Sequence, residues 1–255
     1  MSRQKSITEL KAHQENAMEK VNQYIDGMIA SGNEKNQGKA DKLCYWLEDW
    51  TNFLNFETSF SPLSLRRYKR GEIIKVHLGF NVGSEEGGLH YAVVLDKQNA
   101  KSSPVVTVVP LTSVKSDTDI TKLHSGTIFL GDDLYSKLNI KVKTTKQNVM
   151  SEIASLQETI DQLNSATEKT SNEVMVALHD KAEKLHEGAE LLARMQKEIQ
   201  KMKKGSLALV NQITTISKIR IYDPKTDHDI LSGIKLSNDK LDMIDAELVK
   251  NFTRG

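Results

Sequence analysis

His90 stands at the exit of a glycine-rich loop, Val82-Gly83-Ser84-Glu85-Glu86-Gly87-Gly88, and opens an apolar run. An imidazole titrates near pH ~6.5 and serves as acid or base. Gly83, Gly87 and Gly88 let the loop backbone reach positive φ and approach a ligand closely. Thr112 ends another apolar run, and its hydroxyl both donates and accepts hydrogen bonds. Arg66, Arg67, Lys69 and Arg70 cluster ahead of the first run, where they could meet phosphates. His77 is a lesser candidate, and the remaining histidines are scattered and are assigned no chemistry. The chain has no HExxH, no CxxC pair and no clustered His/Asp signature, so no metal and no cofactor is expected. Cys44 is the single cysteine. It cannot form an internal disulfide, and its place beside Trp46 in an apolar helical pattern predicts a buried structural thiol.

The elements that must position these residues are legible as periodicities. Ile73, Val76 and Leu78 mark one strand, and residues 91–95 and 105–111 mark two more. Residues 126–130, 206–210 and 213–221 read as further strands, and 132–138 as a helical turn. Leu241, Ile244, Leu248 and Phe252 give a final helix one apolar face, with Ser237 or Asn238 as its cap. Residues 1–58 read as two helices separated by Ser31-Gly32-Asn33. The second carries Leu43, Trp46, Leu47, Trp50, Phe53 and Leu54 at three- and four-residue steps, a docking face most simply for the protein's own sheet. Residues 146–204 show two heptad-like runs, interrupted at 164–171, that predict an antiparallel helical hairpin or an intermolecular coiled coil.

A chain of 255 residues allows one large domain or a small one with additions. Its net charge of +1 predicts no partner in bulk, so a nucleic-acid site must be a local patch. No apolar stretch approaches the ~20 residues of a membrane span. The N-terminal residues lack the apolar core of a signal peptide. A cytoplasmic protein is expected.

Four blocks then carry a resemblance: Lys69-Arg70-Gly71-Glu72-Ile73, the loop 82–88, Pro110-Leu111-Thr112-Ser113, and Val210-Asn211-Gln212-Ile213-Thr214-Thr215-Ile216-Ser217-Lys218. In this order they resemble the MazF/PemK family of toxin–antitoxin endoribonucleases. The resemblance covers roughly half of the chain. It implies an α+β fold: a small SH3-like antiparallel β-barrel at 61–145 and 205–255, an N-terminal helical region at 1–60, and a coiled-coil helical hairpin inserted at 146–204. The hairpin is expected to protrude, to begin and end close together, and to be dispensable for folding.

The resemblance further implies metal-independent cleavage of single-stranded RNA, with the ribose 2′-OH as internal nucleophile. His90 and Thr112 would be catalytic. Gly83, Ser84, Glu85, Gly87, Gly88, Arg70 and Gln212 would bind substrate. Homodimerisation and an antitoxin protein as partner are implied as well. Two departures stand out. The family usually places an arginine where this chain has His90, and Thr214 replaces the arginine of the Gln-Ile-Arg-Thr-Ile block, for which Lys218 or Arg220 could substitute. An arginine keeps its charge and is a poor proton donor, whereas a histidine exchanges protons. These departures keep open a non-catalytic module on the same barrel that binds nucleic acid or, like a related toxin group, poisons gyrase. A structural role driven by the coiled coil is a third reading, and the helical additions acting as a built-in antitoxin a fourth.

Overall fold

Ser6 and Glu9 form a reciprocal cap at the start of the first helix, with Ser6 N donating to the Glu9 carboxylate at 2.7 Å and Glu9 N to the Ser6 hydroxyl at 3.2 Å. This helix, α1 (Ile7–Ala30), ends before Gly32. Asn33 then caps α2 (Glu34–Glu57) by accepting from Lys35 N and Asn36 N. The computed structural model describes residues 5–165 and 172–254, and the chain divides into two compact units. The first joins residues 1–60 with the loop Gly79–Gly88. Within it Met28 and Ala40 are buried, and the rings of Trp46 and Phe53 lie 6.3 Å apart. Cys44 is only half-buried, short of the burial expected for it, because it borders α2's exposed face at Tyr45.

The second unit holds residues 61–78 and 89–255. Its strands are β1 (Ile73–His77), β2 (Leu89–Val94), β3 (Val105–Ser113) and β4 (Thr127–Gly131). Two long helices follow, α3 (Asp133–Ser165) and α4 (Asn172–Lys201). The chain closes with β5 (Ser206–Leu209), β6 (Thr214–Ser217), β7 (Ile221–Asp223) and α5 (Asn238–Phe252). All pairings are antiparallel, in the order β4-β5-β3-β2-β1-β7, with β6 also on β3. This is the expected α+β class. The barrel is not closed, however: among the described residues no ladder joins β4 to β7. The apolar face is filled instead by helices, with Leu134 and Leu138 of α3, Met195 of α4, and Leu241 and Ile244 of α5 packed in one core with Ile73, Val93, Val109 and Leu111.

Residues 213–221, expected as one strand, are two. Ser217 accepts a hydrogen bond from Ile219 N and turns Lys218–Arg220 into a 3₁₀ step. That step takes the chain from β3's edge to β1's, where Val76 faces Ile221.

The helical pair is antiparallel. Lys181 Nζ reaches Ser155 and Thr159, and the Thr145 hydroxyl meets Met195 Sδ. A Cβ on Gly188 would lie 3.2 Å from Val149 Cγ2, so the helices are close there. The pair leaves β4 and re-enters β5 at one end of the sheet, where Gly131 opposes Ser206. The expected break at 164–171 falls mainly on 166–171, outside the described residues.

Two features differ from the sequence expectation. The helix begins at Asp133 rather than near 146. Its base also belongs to the core: Met195 has no exposed surface, and Lys141 Nζ donates to the carbonyls of Asp229, Ile230 and Ser232 at 2.7–3.0 Å. A stem anchored this way is predicted to be needed for folding, against the sequence expectation. Met195→Ala should cost about 2–5 kcal/mol, the range for truncating a buried methionine, read as a lowered denaturant midpoint. Replacing 146–204 with a Gly/Ser linker should abolish cooperative unfolding, whereas replacing only 156–181 should leave it.

Candidate functional site

Strand pairing sets His90 and Thr112 on neighbouring strands. Tyr91 of β2 faces Leu111 of β3 in register, so the residue before one and the residue after the other lie at the same end of the sheet. Both line a cleft of about 400 Å³, together with Tyr91, Ser113 and Lys75 from the sheet and Glu198, Lys201 and Met202 from the end of α4. Lys115 and Lys203 also border it. That volume falls in the usual range of ligand sites. Four lysines against one glutamate make it a local basic patch in a chain that is nearly neutral overall.

His90 is half-buried, and its Nδ1 lies 3.2 Å from the Leu111 carbonyl oxygen. A carbonyl only accepts, so Nδ1 carries the proton in this contact. In the neutral ring Nε2 is then the acceptor nitrogen. The sheet thereby fixes the tautomer and the ring plane. Thr112 is half-buried and faces Leu207 of β5.

Behind them lies a polar network. Lys75 Nζ and the Tyr91 hydroxyl both donate to Oε1 of Glu198. The Lys75 ammonium also lies 5.4 Å from the Tyr91 ring centre. Burial pushes the Glu198 carboxyl up, but the bonds from Lys75 and Tyr91 outweigh it and hold the group below its ordinary value. Burial, reinforced by the Glu198 charge, pushes the Tyr91 hydroxyl well above its ordinary value. Tyr91 is therefore a hydrogen-bond donor at any physiological pH and no base.

The remaining sequence candidates are not among the residues that line the cleft. Gly83, Ser84, Glu85, Gly87 and Gly88 belong to the first unit's loop, which closes on itself: Gly88 N donates to Gly79 O at 2.7 Å. A Cβ on Gly87 would stand 2.8 Å from Gly79 O, so the loop requires glycine there. Glu85 is exposed, and its carboxylate accepts from Val82 N at 3.4 Å. Arg70 is not in the cleft. Its guanidinium donates to Leu95 O and to Asp245, and so ties α5 to the sheet. Arg66 holds the buried Glu72 at 3.1 Å. Gln212 sits half-buried in a 3₁₀ turn outside the cleft lining. Neither suggested substitute for the missing arginine is available. Lys218 is 1% exposed and donates to Ala100 O, and Arg220 donates through Nε to His77 O. Strand alternation puts both on Thr214's face, but the 3₁₀ step breaks that alternation.

Lys75, Tyr91, Glu198 and Lys201 had no signal as site residues. Lys75 and Tyr91 read as ordinary strand positions, and nothing local places α4's end on β2. Among the described residues no three His, Cys, Asp or Glu side chains gather as a metal-ligand set, and no helix is long and apolar enough to cross a membrane.

An antiparallel sheet with helical additions and a basic cleft at one strand end is the frame on which the comparisons fall. Residues 69–185 match the family described as PemK-like, MazF-like toxin of type II toxin-antitoxin system. Over those residues the chain is similar to that family. The match takes in β1 to β4, hence Lys75, His90 and Thr112, and stops inside α4. It leaves out Glu198 and residues 210–218, the fourth block of the resemblance. No curated protein matches the chain.

Acid should loosen the end of α4. The folded Glu198 carboxyl lies below its unfolded value of about 4.3. Its tie therefore stabilises the fold above that pH and is lost as pH falls through the folded value. The thermal midpoint of Glu198→Gln should fall less steeply with pH below about 4 than that of the wild type. Parallel pH dependences would show that the tie contributes nothing.

Proposed function

We propose that the chain is an endoribonuclease that cleaves single-stranded RNA by attack of a ribose 2′-OH on the adjacent phosphate. The observation that carries this is the placement of His90 and Thr112 side by side in a lysine-rich cleft. In this reaction the 2′-oxygen bonds to phosphorus, the bond from phosphorus to the 5′-oxygen breaks, and a 2′,3′-cyclic phosphate and a 5′-OH result. His90 moves the proton: the neutral ring takes it from the 2′-OH, or the charged ring gives it to the leaving 5′-oxygen. Thr112 hydrogen-bonds a phosphate oxygen. Lysines of the cleft supply the fixed charge that stabilises the phosphorane oxygens. The loop residues Gly83, Ser84, Glu85, Gly87 and Gly88 contact bases, with Gln212 as a further substrate contact. The likeness to the toxin family over residues 69–185 supports an antitoxin protein as partner, a homodimer as the working form and the cytoplasm as its place.

Purified protein incubated with end-labelled RNA should yield those two termini, unchanged by EDTA. Products with 5′-phosphates would rule out the 2′-OH route. His90→Ala should lower the rate of the chemical step by about 10²–10⁴-fold. Binding should change much less, because phosphate contacts set most of the affinity. Thr112→Val should cost less than His90→Ala. Undiminished cleavage by His90→Ala would remove the catalytic assignment. Binding without cleavage by the wild type would leave a non-catalytic RNA-binding module.

A further inference from the structure

The Lys75–Tyr91–Glu198 network has a geometry that a simple tether does not need. Two donors from adjacent strands, an ammonium and a phenol hydroxyl, converge on one carboxylate oxygen. That is how a phosphate oxygen is held: a charged donor and a neutral one aimed at the same acceptor. The donors are part of the cleft that contains His90 and Thr112. Tyr91 follows His90 in β2, and Lys75 faces Tyr91 in register. The acceptor comes from a different element, the last turns of α4, and from residues beyond the family match.

We infer that Lys75 and Tyr91 form a phosphate seat for RNA beside the catalytic pair, and that the Glu198 carboxylate fills this seat until RNA displaces it. The inference rests on the reading of the cleft as an RNA site. The seat explains three observations together. Lys75 reaches into the cleft from the sheet with its side chain 24% exposed, as an anion-binding cation in a cleft must be. Tyr91 is held in its protonated form and donates whatever the acceptor. Glu198 is charged and therefore a true stand-in for a phosphate oxygen. The displaced carboxylate also has somewhere to go. Lys201 follows it by three residues on the same helix and already favours its charged state. A tethered carboxylate competes with RNA at the high effective concentration of an intramolecular ligand. The wild type consequently binds RNA less tightly than the bare seat would.

The test is the binding of a short fluorescent 2′-O-methyl oligoribonucleotide, which cannot be cleaved by 2′-OH attack, to the full chain. Glu198→Ala should tighten binding by about tenfold, the scale of one hydrogen bond to a charged group. Glu198→Gln, which keeps the shape of the side chain without its charge, should shift affinity in the same direction and serves if the alanine variant fails to fold. Lys75→Met should weaken binding strongly in the Glu198→Ala background and little in the wild type, where loss of the seat and loss of its occupant offset each other. Unchanged or weakened binding by folded Glu198→Ala and Glu198→Gln, while the wild type still binds and cleaves, overturns the seat, leaves Glu198 as a tether and keeps the nuclease reading. Failure of every variant and the wild type to bind the oligonucleotide overturns the RNA reading and the seat with it.

Discussion

Nine-residue β3 must satisfy its backbone on both edges, and this one requirement arranges most of the second unit. One edge is taken by β2 along its inner half. The other cannot be filled by a single strand of the length available, so β5 pairs with residues 111–113 and β6 with residues 105–108. The 3₁₀ turn Val210–Gln212 carries the chain from one to the other. Thr112 therefore lies where β2 and β5 flank β3 together, at the sheet end from which the helical pair departs. The position of the cleft follows from that exchange of partners.

The same end of the sheet is also where α4 terminates, and packing gives that helix end little freedom. Met195 is enclosed, Leu191, Ile199 and Met202 pack beside it, and Lys141 fixes the base of α3 through three carbonyls. A side chain one turn from Met195 on the neighbouring face is thus held over β1 and β2. In this chain it is Glu198. A carboxylate so placed would be costly if unpaired, and the donors from Lys75 and Tyr91 compensate its desolvation.

A histidine at position 90, where the resemblance leads one to expect an arginine, has a physical meaning in this setting. An arginine would supply permanent positive charge. The cleft already holds four lysines, so charge does not have to come from position 90. A histidine there, its tautomer set by Leu111 O, adds a group that exchanges protons instead.

What the sequence alone determined was local. The two helices within 1–58 followed from apolar spacing and from the break at Ser31-Gly32-Asn33, because amphipathic faces need only residues a few positions apart. The strand runs read around Ile73, Val76 and Leu78 and at 91–95 and 105–111 overlap the observed β1, β2 and β3, and His90 and Thr112 stand beside those runs in the sequence. Everything the sequence missed or misplaced depends on distant residues. The pairing of Lys75 with Glu198 spans 123 positions, and Arg70 finds Asp245 across 175. The burial of Lys218 depends on Ala100 and Tyr68, and that of Met195 on a core assembled from strands and two other helices. The strand at 213–221 broke in two because β3 and β1 each needed a partner, not because of any strong breaker within it. Periodicity reports which face of an element is apolar. Only the tertiary structure decides which other element covers it, and so which charged side chains share a cleft.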